Sequence, residues 1–111
     1  MMKKMFAIAA AFTAAMFVSS ATFAVDMPAE AKKGGCVACH KVDKKLVGPA
    51  WADVAAKYKG DAAARDYLID KVKKGGKGVW TEITGGAPMP PYSPRVKDED
   101  IAKLVDFILS L

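Results

Sequence analysis

Residues 34–50 read GGCVACHKVDKKLVGPA, and within them Cys36-Val37-Ala38-Cys39-His40 decides how the whole chain is read. These are the only two cysteines and the only histidine among 111 residues. A disulfide, a metal site, a redox dithiol and a covalently held cofactor all use such residues. The surrounding sequence discriminates among them.

The N-terminus sets the compartment. Met1 to Ala24 carries Lys3 and Lys4, then an apolar run from Met5 to Val18, then small residues ending Thr22-Phe23-Ala24. That layout is expected of a secretory signal peptide cleaved after Ala24, with Ala21 as a competing site. A spanning helix needs about 20 apolar residues, so an uncleaved anchor is the poorer reading. Cleavage leaves residues 25–111, with 15 basic residues against 12 acidic ones and a formal charge of +3. This modest excess, with no recognition motif, argues against a nucleic-acid partner. No membrane span is expected after cleavage.

The 87 residues that remain form one small domain with a limited core, a size at which disulfides, metals or cofactors often contribute. A Cys36–Cys39 disulfide would close too short a loop to constrain the unfolded chain much. Helical signals recur along the domain. Pro28 to Lys33 is bounded by Pro28 and Gly34-Gly35. Ala50 to Tyr58 has a stripe of Trp51, Val54, Ala55 and Tyr58. Ala62 to Lys74 follows Gly60-Asp61, which offers a break and an N-cap, and has a stripe of Ala64, Tyr67, Leu68 and Val72 and a basic C-terminal end. Asp98 to Leu111 begins with three acidic residues and carries Ile101, Leu104, Val105 and Ile108 on one face, with Leu111 a turn on. Between the last two helices, Lys77 to Lys97 has no period, and its glycines and prolines exclude a long helix or a central strand. No alternating strand pattern appears. The expectation is an all-α domain with one long ordered loop, since loops of this length are usually functional or disordered and this one is rich in apolar residues and proline.

Cys-x-x-Cys-His is the attachment signature of c-type haem. Two thiols three positions apart can reach the two haem vinyl groups and form thioethers, and the adjacent imidazole is then placed to bind the iron. A thioredoxin-like dithiol would need a βαβ context, and zinc would need a second pair of Cys or His ligands. Neither is present in the sequence. The sixth ligand then decides between a carrier and an open haem. No second histidine exists, and only Met27 and Met89 lie beyond Ala24. Met27 sits at the start of a short helix and suits packing. Met89 lies in Ala87-Pro88-Met89-Pro90-Pro91, where prolines hold its backbone rigid. A gap-filling core methionine is the plain alternative, and lysine is a minor one. With CVACH upstream, the ligand reading is preferred.

At this point the chain resembles small bacterial class I cytochromes c, particularly the c-551/c-552 group. The resemblance rests on CVACH, Val47-Gly48-Pro49-Ala50, Gly78-Val79-Trp80, Pro88-Met89-Pro90-Pro91 and the C-terminal helix, and covers essentially residues 25–111. It implies four to five short helices wrapped around one covalent haem c. It implies thioethers at Cys36 and Cys39 and axial ligation by His40 and Met89. Pro49 matches a proline whose carbonyl accepts the axial imidazole proton, which fixes the ring. Trp80 matches a tryptophan that bonds a haem propionate. Two departures stand out. Thr81 to Ala87 is longer than the link in close relatives and is expected to make an extra turn. Tyr92 stands where relatives often carry an asparagine that bonds the methionine sulfur; its hydroxyl either replaces that bond or faces solvent.

The function expected from these residues is a soluble periplasmic carrier of single electrons in a bacterial respiratory chain, not an enzyme, monomeric, and docking weakly to redox proteins. Lys32, Lys33, Lys41, Lys44 and Lys45 flank CVACH and could steer an acidic partner, although a merely solvated face explains them equally well. The rival expectations are a subunit of a larger redox complex, or a peroxidase-type or small-molecule-binding haem protein with an open sixth position.

Overall fold

The structure, a computed structural model, describes residues 25–111. The expected signal peptide lies outside the described residues. Five α-helices follow one another: α1 (Ala29–Gly34), α2 (Trp51–Lys57), α3 (Ala64–Lys74), α4 (Thr81–Thr84) and α5 (Asp98–Leu109). A single 3₁₀ turn, Cys36–Ala38, lies between α1 and α2. There is no β-strand among the described residues, and one isolated antiparallel bridge joins Gly76 to Met89. The all-α expectation therefore holds.

The C-terminal helix organises the rest. Asp98, Glu99 and Asp100 occupy its first turn, where the helix dipole favours negative charge. Ile101, Leu104, Val105 and Ile108 are all buried, as their spacing requires. This one face serves three neighbours, because α5 packs against α1, α2 and α3. Ala31 of α1 is fully buried, and Trp51 and Val54 of α2 and Leu68 of α3 are buried beside it. Arg65 of α3 adds a two-pronged ion pair to Asp106 of α5, at 2.7 and 3.2 Å. Both partners are about half exposed, so the apolar seam contributes more than the pair.

Ile101 and Val105 are the largest side chains with essentially no exposed surface. Ile101→Ala is expected to lower unfolding stability by about 2–5 kcal/mol, the range for large-to-alanine cavities. Denaturant titration of the haem-bound protein measures it, and a change below 1 kcal/mol would contradict the placement of the core.

The expectations need correction in detail. Helix α3 begins two residues later than expected. Asp61 does not cap it directly; its carboxylate accepts a hydrogen bond from the Ala63 N–H at 2.9 Å, closing a turn ahead of the helix. Tyr67 is not in the core but 43% exposed, with its ring 5.9 Å from that of Tyr58. The buried line of α3 runs at intervals of four through Ala64, Leu68 and the half-buried Val72, which leaves Tyr67 on the flank. Leu111 lies beyond the end of α5 and is exposed. The Thr81 to Ala87 link does form extra structure, with α4 followed by a Gly85-Gly86 turn.

Candidate haem site

CVACH forms one tight turn. The N–H groups of Cys39 and His40 both donate to the Cys36 carbonyl, at 3.1 and 2.9 Å. Cys36 is buried in the core and Cys39 is half-buried, and both thiols are free. Burial pushes the Cys36 thiol up from its ordinary pKa.

His40 is held from three directions. Its Nδ1–H donates to the Pro49 carbonyl at 2.9 Å; a carbonyl can only accept, so the proton belongs on Nδ1 and Nε2 keeps its lone pair. Trp51 stacks on the ring, with centroids 5.8 Å apart, and Phe107 meets Trp51 edge-on. Gly48 lies so close that a Cβ there would overlap the imidazole. Burial lowers the His40 pKa, and the Pro49 bond opposes this; the neutral, ligating form is the one favoured. The loop carrying Gly48 and Pro49 is fastened to the same turn by Gly48 N–H to the Cys39 carbonyl, 2.8 Å, and Trp51 N–H to the Lys41 carbonyl, 3.0 Å.

His40 looks onto a largely apolar, half-open cavity that offers about 120 Å³ to water-sized molecules. Cys39, His40, Pro49, Trp51, Trp80 and Met89 all contribute to the wall, with Leu68, Tyr92 and Ile108 among the others. Segments that are 49 residues apart in sequence, at His40 and Met89, thus meet on one space. Met27 takes no part in the wall and packs against the core instead. Among the described residues no three Cys, His, Asp or Glu side chains converge as a site for a bare ion. Cys36 does not line the cavity; it is buried in the core on the same turn. The donors that do meet there suit a haem: one imidazole nitrogen with a free lone pair, one thioether and the Cys39 thiol, in an apolar box.

The remaining candidates fall as follows. Trp80 lines the cavity at the start of α4. Tyr92 is only 5% exposed and sits under the Arg95 guanidinium, 4.8 Å from ring centre, so it is part of the wall and not a solvent-facing residue. The five lysines flanking CVACH are exposed. Trp51 and Lys71 also belong to the wall, and sequence reasoning missed both. Trp51 had signalled only helix periodicity, and Lys71 only a basic helix end.

Residues 29–111 match the family described as Cytochrome c. The chain belongs to the cytochrome c family. Cytochrome c-551 of Allochromatium vinosum is 52% identical over 81 residues, covering 73% of this chain and 81% of that protein. Cytochrome c-552 of Hydrogenobacter thermophilus is 52% identical over 81 residues, covering 73% and 76%. The crystal structure of wild-type Nitrosomonas europaea cytochrome c-552 superposes with a TM-score of 0.66 at 49% identity, covering 74% of this chain and 95% of that one. These relatives place the chain in the class I c-551/c-552 group. The cofactor of a cytochrome c is covalently attached haem c, and its work is electron transfer with redox partners. None of the described helices is long and apolar enough to cross a membrane.

Proposed function

We propose that this cytochrome c is a soluble, monomeric, periplasmic electron carrier of a bacterial respiratory chain, with His40 and Met89 as axial ligands and Cys36 and Cys39 as thioether donors. The observation that carries this reading is that His40 and Met89 line the same cavity, while the Pro49 carbonyl holds the His40 ring with Nε2 free. When bound, haem c supplies one-electron cycling of its iron between ferric and ferrous states. The chain's residues do the rest. Cys36 and Cys39 tether, His40 ligates from the N-terminal turn, and Met89 ligates from the proline-rich loop. Trp80, at the wall, would offer its indole N–H to a propionate. Lys71, the cavity lysine nearest the half-buried end of α3, gives its ammonium to the Gly75 carbonyl at 3.1 Å, which favours Met89 over it as the sixth ligand. The periplasmic location rests on the composition of residues 1–24 and on haem attachment outside the cytoplasm.

A closed sixth position is what separates a carrier from a small-molecule-binding haem protein. The ferric protein is expected to show the weak far-red sulfur-to-iron band, and the ferrous protein to resist carbon monoxide. Rapid carbon monoxide binding by the native protein would sink the carrier reading.

A further inference from the structure

The Met89 loop has an unusual backbone. Residues 88–94 include prolines at 88, 90, 91 and 94, so only Met89, Tyr92 and Ser93 retain an N–H. All three donate to one short segment at the end of α3. Met89 N–H bonds the Gly76 carbonyl at 3.0 Å, Tyr92 N–H the Val72 carbonyl at 3.1 Å, and Ser93 N–H the Lys73 carbonyl at 3.3 Å. In return, Gly76 N–H donates to the Met89 carbonyl at 2.8 Å. A helix end leaves its last carbonyls without intrahelical partners. Here a ribbon with few donors and a helix end with open acceptors satisfy each other.

Gly75 makes this contact possible. Its φ of 70° and ψ of −155° lie in a region that is essentially confined to glycine. A Cβ at this position would also run into the Met89 carbonyl oxygen and the backbone of Pro90 and Pro91. No side chain on that neighbouring ribbon could turn aside to relieve the overlap, because the atoms met are backbone.

We infer that Gly75 is a positioning residue for the Met89 loop: it lets the proline ribbon lie backbone-to-backbone on the end of α3, and so sets where the Met89 thioether enters the cavity. The inference rests on the reading of Met89 as an axial ligand. It couples two events, since the ribbon that carries Met89 also supplies, through Tyr92 and Ser93, the bonds to the Val72 and Lys73 carbonyls at the end of α3. The ligand loop and the last turn of α3 open together.

The test compares Gly75→Ala with Gly60→Ala in the haem-bound protein. Gly60 also has a positive φ, 78°, but a Cβ there meets nothing within 4 Å, so it carries backbone strain without touching the loop. Gly75→Ala is expected to weaken or abolish the far-red ferric band and to speed carbon monoxide binding by the ferrous protein by roughly tenfold or more. Gly60→Ala is expected to leave both at native values. In the native protein, the amides of Gly76, Met89, Tyr92 and Ser93 are expected to exchange with solvent through one common opening. Gly75→Ala with a native band and native carbon monoxide rate would overturn the inference, as would four amides exchanging by unrelated openings. If Gly75→Ala does not fold, the exchange measurement decides. A native protein without the far-red band would instead remove the ligand reading of Met89, and common exchange would still show the clamp.

Discussion

Replacing Cys36 and Cys39 together by alanine is expected to yield a chain without covalent haem that fails to hold its fold. The two thiols lie on one turn, three residues apart, beside the His40 imidazole. Under the proposed function, thioethers there would make the haem an intramolecular partner of His40 and Met89, with the gain in effective concentration that tethering brings. Without them, haem must bind from dilute solution. The cost of losing it is structural, because the apolar cavity lies where a larger protein would have core side chains. Only Ile101 and Val105 stand out as large, fully buried side chains. A domain of this size has about 5–15 kcal/mol of net stability to lose, and an empty apolar centre removes much of the burial that supplies it. Denaturing mass spectrometry is the direct check. Native protein should run as residues 25–111 plus one haem, the double variant as protein alone with little helical circular dichroism. Haem that stays with the double variant after denaturation would refute the attachment. Either single variant should keep one thioether, which separates tethering from a general folding defect.

Met89→Ala should have a large electronic effect and a small structural one. Met89 is half-buried, on a loop, and outside the apolar seam that α5 makes with α1, α2 and α3. Its backbone bonds to Gly76 survive the substitution. The helical signal should therefore remain. A thioether stabilises ferrous iron and raises the potential; with the position open or taken by water, the potential should fall by on the order of 0.1 V or more, within the roughly 0.8 V that axial ligands span. The far-red band should vanish, and the ferrous form should bind carbon monoxide. Spectroelectrochemistry reads the potential and flash photolysis the binding. An unchanged band and potential would show that another group ligates the iron, with Lys71 or Lys77, both in the cavity wall, as the next to replace.

Much of the fold was legible because helix formation and burial are tied to short-range spacing. The α5 face of Ile101, Leu104, Val105 and Ile108 is buried residue for residue as the periodicity requires. The same rule failed at Tyr67, since a stripe drawn on the sequence does not state how wide the contact with a neighbouring helix will be. On α3 the buried line runs through Ala64 and Leu68, and Tyr67, one step off it, stays at the surface beside Tyr58. Trp51 shows the opposite failure. It was placed correctly in the core, but its stacking on His40 depends on the 41–50 loop folding back over the CVACH turn, a matter of loop hydrogen bonds that no spacing encodes.

The sequence by itself pointed to the cofactor: CVACH carries the haem-attachment signature, and the proposed tethers and imidazole ligand are read from it because thioether and imidazole chemistry need those residue types at that spacing. It also singled out Met89, by elimination among sulfur and nitrogen donors and by the prolines around it. The tertiary structure decided how these parts are held. It brought the Pro49 carbonyl to the His40 ring, made Tyr92 a wall and not a surface residue, and laid the proline ribbon on the end of α3 through Gly75 and Gly76. The physical reason is one of range. Residue chemistry and helical periodicity act within a turn or two, whereas the few N–H groups of the Met89 loop find their acceptors on a helix end about 13 to 20 residues earlier in the chain, and only the folded backbone shows which ones.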